Sequence, residues 1–348
     1  MMRARAPKLL LFPFDLGGNR SGTRSGPGAF LSYAMHDPDL SLVARDALDT
    51  LFCDPATHDD LRSRFWTSKP PRDLPHYCDE TAAACMILGH EVGGAIAAGY
   101  RPLVIGGDHS APMGSIASAF GAYGKRLGVV WIDAHLDAHA MTTGSPSGNT
   151  NGMPIAALLG AGHPSLLDAV GASAYPNQFM DPSQWFHIGA DSYESGEARF
   201  IRESVECGFT LWTYRDLEHA HTDLFASLRA FLDRVDAVWV SFDLDAVHAY
   251  WAPAVAYDRD GRMSMGLVQE IAALVGGTGK VIGGDIVELN PKREQRYRDG
   301  RFRGKPKTAL LAAEFMKRIF AIASTVDPYR VPNPVPCSPS QVETTPPA

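Results

Sequence analysis

Short apolar runs with β-branched or aromatic residues recur along the chain at Leu9 to Phe14, Pro102 to Ile105, Val129 to Ile132, Trp185 to Ile188, Thr210 to Trp212, Val238 to Phe242 and Val281 to Ile286. Their length, and the lack of polar alternation in most of them, predict strands buried on both faces. Between them lie stretches of helical period, clearest over Thr81 to Ala98, Asp223 to Val235, Leu267 to Leu274 and Thr308 to Ala323. Strands alternating with helices predict an α/β fold, a parallel sheet covered by helices on both faces. In such folds ligands sit beyond the carboxyl ends of the strands.

Polar and turn-forming residues mark the rest. Gly17 to Gly28 is a loop of Gly, Ser and Arg after the first strand, and His139 to Gly152 reads as a second loop at the same rim. From Pro328 onward Pro, Ser and Thr dominate without periodicity, so one catalytic domain over residues 1–327 and a disordered tail over 328–348 are expected.

Composition narrows the partners. The chain has 348 residues, 45% of them hydrophobic, and a formal net charge of -7, which suits a globular protein acting on small molecules. It gives no electrostatic footprint for nucleic acid or an anionic membrane. No apolar stretch reaches the length of a bilayer span, and the basic start Met1 to Lys8 runs into a short first strand. The cysteines, Cys53, Cys78, Cys85, Cys207 and Cys337, are odd in number and lack CxxC spacing, so idle thiols in a reducing cytoplasm are expected.

Candidate chemistry sits where three of the strands end. In Asp133-Ala-His135-Leu-Asp137 the ligand-type side chains fall at i, i+2 and i+4, so on an extended segment all three point to one side. Asp243-Leu-Asp245 repeats the spacing, and His109 follows Val104-Ile-Gly-Gly-Asp108. Brought side by side, these form one acidic pocket whose four carboxylates balance two divalent cations. An oxygen-dominated set with shared carboxylates suits Mn²⁺ better than structural zinc. Two such ions can lower the pKa of a water held between them, which points to hydrolysis.

Gly106-Gly-Asp-His-Ser110, Asp133-Ala-His-Leu-Asp137 and Ser241-Phe-Asp-Leu-Asp245 resemble the three signatures of the ureohydrolase superfamily, which includes arginases and agmatinases. Gly26-Pro-Gly28, Ser147-Gly-Asn149, Ile188-Gly189 and Asp285-Ile-Val-Glu-Leu-Asn-Pro291 are similar to further pieces of it, so the likeness spans roughly residues 8 to 325. The resemblance implies a three-layer α/β/α fold, an assembly of three or six copies and two Mn²⁺ ions. It implies one ion on His109, Asp133, Asp137 and Asp243, and the other on Asp133, His135, Asp243 and Asp245. Asp137 is then the carrier of a proton to the departing amine, and Glu288 the carboxylate that binds the guanidinium.

The outer ring is less uniform. Ser147 and Asn149 match the arginase loop that binds an α-carboxylate, and Glu194 stands where arginases place a carboxylate for the α-ammonium group. Asn151 replaces the family's proton-shuttling histidine, and an amide cannot titrate near neutral pH. His139 stands where arginases tend to have Asn, which suggests a swapped role. Val247-His-Ala-Tyr-Trp-Ala-Pro253 departs from the usual Asp-Pro pair in a way similar to formimidoylglutamases, with His248 as a further substrate contact.

The resemblance is thus strongest to enzymes that cleave arginine, or a derivative such as N-hydroxyarginine, to ornithine and urea or a substituted urea. A formimidoylglutamate or other guanidino-acid hydrolase is the alternative reading, with formamide as product in the formimino case. A catalytically silent, ligand-binding homologue is disfavoured, because unpaired acidic clusters repel one another. Gly276-Gly-Thr-Gly-Lys280 lacks the leading glycine and the final Ser or Thr of a phosphate loop, and His90-Glu91 lacks the second histidine of a zincin.

Overall fold

The computed structural model describes residues 6–47, 77–140, 147–173, 179–258, 260–298 and 300–322. Cys53, Cys337, the 328–348 tail and residues 141–146 of the second rim loop lie outside the described residues. All seven expected strands form, as β1 (Pro7–Phe12), β2 (Arg101–Gly106), β3 (Leu127–Ile132), β4 (Trp185–Ala190), β5 (Thr210–Thr213), β6 (Ala237–Asp243) and β7 (Val281–Val287). They make one parallel sheet in the order β1-β2-β7-β6-β3-β4-β5.

Helices cover both faces: α1 (Gly26–Ala34), α2 (Ser41–Ala47), α3 (Cys78–Ala97), α4 (Pro112–Tyr123), α5 (Pro154–Leu158), α6 (Pro164–Ser173), α7 (Ser195–Glu206), α8 (Tyr214–His219), α9 (His221–Arg234), α10 (Met265–Gly277) and α11 (Lys307–Ile319). Alternate strand residues feed two separate cores. Leu9, Val130, Val240 and Phe242 pack with Phe30 of α1, Phe231 of α9 and Phe315 of α11. Leu10, Val129, Trp131 and Trp239 pack with Leu88 of α3, Ile116 of α4 and Val170 of α6. Fully burying each such side chain contributes about 1.5–3 kcal/mol, which is why strands this apolar settle between two helical layers. Among the described residues, no helix is long and apolar enough to cross a membrane. Cys78 and Cys85 are buried, Cys207 is exposed, and all three are free.

The strand order decides where the chemistry goes. After β2 the chain skips two strand positions to lay down β3, and β6 and β7 later fill the gap. The contiguous strands β2, β7, β6 and β3 are therefore those preceding His109, Glu288, Asp243 and Asp133. Register completes the alignment: Ile132 pairs with Phe242, which sets the next residues, Asp133 and Asp243, level with each other. On its other side, Asp243 pairs with Val287, one residue before Glu288.

Candidate active site

Beyond these strand ends the three clusters meet. His109 Nδ1 lies 3.0 Å from Asp133 Oδ2, 3.0 Å from Asp137 Oδ2 and 3.1 Å from Asp243 Oδ2. His135 Nδ1 lies 3.4 Å from Asp133 Oδ1 and 3.3 Å from Asp245 Oδ2. Asp133 thus faces both imidazoles, one with each oxygen. Two groups, His109–Asp133–Asp243 and Asp133–His135–Asp245, have ligand atoms within 4.8 Å of one another and could each hold a metal ion.

The donor set fits divalent cations. His109 Nδ1 is buried and makes no hydrogen bond despite its three carboxylate neighbours, and Asp245 Oδ1 is likewise buried without a partner. Orphaned atoms of this kind are costly unless a ligand uses them. The second nitrogen of each imidazole is occupied: His109 Nε2 bonds Ser241 Oγ at 3.0 Å, and His135 Nε2 bonds Asp260 Oδ2 at 3.1 Å. Trp131 stacks on His109 at 4.2 Å and donates its Nε1–H to Asp133 Oδ2 at 3.0 Å. The backbone amides of His135 and Asp245 donate to Asp133 Oδ1 and Asp243 Oδ1, each at 2.8 Å. Remaining lone pairs then converge inward.

Electrostatics state the same requirement. Burial, and then the charge of Asp133, push Asp137 up to about 8. Burial followed by Asp245 and Asp133 raises Asp243 well above the carboxylate range, and burial raises Asp245. Burial works to lower the two imidazoles, yet their carboxylate neighbours outweigh it and hold both His109 and His135 well above their ordinary value. Crowding of this degree is relieved by protons or by cations.

Glu288 closes the pocket from β7. It is buried, and burial, then Asp108 and Asp245, raise its pKa well above the usual range. Its Oε1 accepts the His109 amide at 3.2 Å and Asn151 Nδ2 at 3.5 Å. Asp137 and Glu288 both have positive φ, 46° and 66°, a conformation unfavourable to residues with a Cβ and concentrated at functional sites. Gly107 makes the close approach beneath them: a Cβ there would lie 1.8 Å from Phe14 O.

A cavity of about 300 Å³ opens above the clusters. Its inner wall includes His109, His135, Asp137, Asp243, Asp245 and Glu288, and its outer wall includes Ser147, Asn149, Asn151, His139 and Glu194. His139 is held at the rim by its Nε2 against Glu197 Oε2 at 3.3 Å, and burial lowers its pKa to about 4. His248 is not brought to this cavity. It lies exposed after β6, its Nδ1 accepting the Tyr250 amide at 3.1 Å, so the expected substrate contact is corrected to a turn residue.

Several residues of the site carried no signal in the sequence. Glu197 accepts the amides of Ala138 and Glu194, at 3.2 and 3.0 Å, and so ties the second rim loop to α7. Tyr257 lines the cavity edge-on to His135 and donates to Asn19 Oδ1 at 2.6 Å. The contacts of Glu197 to Ala138 and of Tyr257 to Asn19 span long stretches of chain, and nothing short of the fold brings them together.

The model of the arginase family matches residues 7–321. An arginase of Bacillus caldovelox is 32% identical over 329 residues, covering 88% of this chain and 95% of the relative. The crystal structure of an arginase from Bacillus subtilis superposes with a TM-score of 0.74 at 28% identity, over 92% of this chain and all of that one. A formimidoylglutamase of the same organism shares the fold at 15% identity, with a TM-score of 0.63 over 91% of this chain and 86% of that one. With the match running through every strand of the sheet and both acidic groups, the chain belongs to the arginase family and is a binuclear-metal hydrolase acting on carbon–nitrogen bonds of linear amidines.

Proposed function

We propose that this enzyme is Mn²⁺-dependent and cleaves the guanidino carbon–nitrogen bond of arginine, or of an arginine derivative with free α-amino and carboxylate groups, to ornithine and urea or a substituted urea. The observation that carries this is the charge layout of the cavity. Its inner end offers Glu288 beside the aspartate clusters, its outer end offers Ser147, Asn149 and Glu194, and no Lys or Arg is among its described lining residues. A guanidinium and an α-ammonium group find carboxylates at the two ends. Formimidoylglutamate, with two carboxylates, would find no Lys or Arg among the described lining residues to pair with either.

His109, Asp133, Asp137 and Asp243 would hold one ion, and Asp133, His135, Asp243 and Asp245 the other. Manganese is preferred because the set is mostly carboxylate oxygen with two imidazoles. When bound, the ions supply Lewis acidity and a nucleophile at neutral pH. Glu288 orients the guanidinium through charge-assisted hydrogen bonds, and Asn151 Nδ2 steadies that carboxylate. Asp137, lining the cavity, carries a proton to the departing nitrogen. Asn151 has no titratable proton, and His139 supplies the imidazole of the rim, beside Gly152 and braced by Glu197.

Incubation of the Mn²⁺-loaded enzyme with a panel of guanidino compounds tests the assignment. Ornithine with urea or a substituted urea is expected from α-amino guanidino acids. Turnover of none of them would sink it, and formamide released from formimidoylglutamate would move it to the alternative.

A further inference from the structure

The two imidazoles that face the aspartates are anchored in different ways. His109 gives its Nε2 to Ser241, a fully buried hydroxyl on β6. His135 gives its Nε2 to a carboxylate, Asp260, which lies 125 residues further along the chain on a loop and keeps 33% side-chain exposure. Against Asp260 the outer nitrogen of His135 is the donor, because an ionised carboxylate only accepts, which leaves its Nδ1 turned toward Asp133 and Asp245, whereas the Ser241 hydroxyl can pair with His109 Nε2 in either sense. A carboxylate on the outer nitrogen also makes an imidazole a stronger ligand than a hydroxyl does.

The residues next to Asp260 hold its loop against the same half of the centre. Gly261 lies so close to the end of β6 that a Cβ there would stand 1.9 Å from Asp245 O and 2.6 Å from Val247 O. Any side chain would push the loop off. Arg262 Nε sits 2.8 Å from Asp191 Oδ2, and the amides of Asp191 and Ser192 donate to Ala134 O at 2.8 and 3.0 Å, directly beside His135. Met263 completes the turn, its amide bonding Ala246 O at 3.1 Å and its carbonyl accepting the His248 amide at 3.0 Å. Three consecutive residues thus reach the ring of His135, the backbone of Asp245 and the segment that braces Ala134.

We propose that the Asp260-Gly261-Arg262 turn is a positioning staple for the His135 half of the centre. Asp260 fixes the tautomer and orientation of His135, so the ion held by His135 and Asp245 depends on this loop, whereas the ion beside His109 depends on the sheet. The inference rests on the reading that the two clusters hold two divalent ions.

Mn²⁺ binding to the wild type, Asp260→Ala, Asp260→Asn and Arg262→Ala is followed by competition with a fluorescent chelator. Bound ions are counted by elemental analysis, and thermal unfolding in excess chelator is recorded in parallel. The wild type is expected to bind two ions. In Asp260→Ala one of them weakens about 10- to 100-fold while the other keeps its affinity. Asp260→Asn, which keeps an oxygen to accept Nε2–H but loses the charge, falls between, and Arg262→Ala weakens the same ion to a smaller degree. The chelated proteins are expected to unfold at one temperature. Two ions of wild-type affinity in both Asp260 variants would overturn the staple. Equal weakening of both ions, or a drop in metal-free unfolding temperature, would also overturn it by showing a general loosening. A wild type that binds fewer than two ions overturns the two-metal reading and the staple with it.

Discussion

Glu288 concentrates several costs in one residue: a carboxylate that is 3% exposed, a positive φ and neighbours of like charge. Its backbone is held in place because its amide donates to Gly107 O at 2.8 Å, so β2 and β7 fix it jointly. Glu288→Gln keeps the volume and an oxygen for the His109 amide but removes the charge that would meet a guanidinium. Hydrogen bonds to charged groups contribute about 1.5–3 kcal/mol, so kcat/KM for an α-amino guanidino acid is expected to fall roughly 10- to 100-fold with bound metal unchanged. Steady-state kinetics with metal analysis checks this, and an unchanged kcat/KM would place guanidinium binding elsewhere. That the six proposed ligand residues and Glu288 meet in one pocket was legible in the sequence, because each lies at or just beyond the end of a buried strand. Strand alternation did not carry past those ends: Asp137 has a φ of 46° and Asp245 sits in the short 3-10 turn Leu244–Ala246, so turns, not an extended segment, bring these residues in. Asp260 and Tyr257, each alone on a loop, and Glu197, in the first turn of α7, were not legible, because their contacts to His135, Asn19 and Ala138 are made across the fold. His248 shows the reverse error, a polar residue near a motif that the turn carries out to solvent.

Strands were easier to read than helices, and the reason is their surroundings. The inner strands are apolar because both their faces are covered, while the edge strand β5 is only half-buried, and a helix announces itself only when one side is polar. Helix α4 is buried along its whole first nine residues, Pro112 to Phe120, so it has no such side, and only Pro112 in its first turn marks it. Buried between α3 and the sheet, it leaves no room for larger residues: a Cβ on Gly114 would stand 2.1 Å from Cys85 O. Close approach also governs the β2 end, where a Cβ on Gly107 would meet the backbone of Phe14 just before His109. Gly107→Ala is expected to destabilise by about 1–3 kcal/mol or more and to weaken metal binding by displacing His109. Gly94→Ala, on an exposed stretch of α3 with open space around its Cβ, is expected to stabilise by about 0.5–1 kcal/mol. Thermal unfolding of the pair separates the two effects, and equal behaviour would show that the β2 turn yields at no cost.

Across the whole molecule, the buried acids and histidines make stability depend on pH in a direction that metal ions should reverse. Burial first, then local charge or hydrogen bonding, sets Asp108, Asp285 and Glu197 at about 6 and Asp137 at about 8. Each holds its proton in the folded chain at pH values where the unfolded chain has lost it, so each contributes stability that is lost as pH rises through the folded value. His109 and His135, raised by carboxylates against burial, act with the same sign above about 6.5. His139 and His187, which burial lowers to about 4, act with the opposite sign, but their contribution is complete by about pH 6.5. Groups held low, Asp133 among them, titrate below this window. Between about pH 6.5 and 8 the groups held near 6 have finished titrating, so Asp137, His109, His135 and the carboxylates held well above their range set the trend, and the unfolding temperature of the chelated protein is expected to fall as pH rises. Divalent ions bind the deprotonated carboxylates and imidazoles, so their affinity grows over the same interval. Because a ligand bound only to the folded state adds stability in proportion to the logarithm of its occupancy ratio, the gap between Mn²⁺-loaded and chelated unfolding temperatures is expected to widen from pH 6.5 to 8. A gap that narrows would mean that the ions do not displace protons from these clusters, and would remove the ligand assignment on which the chemistry depends.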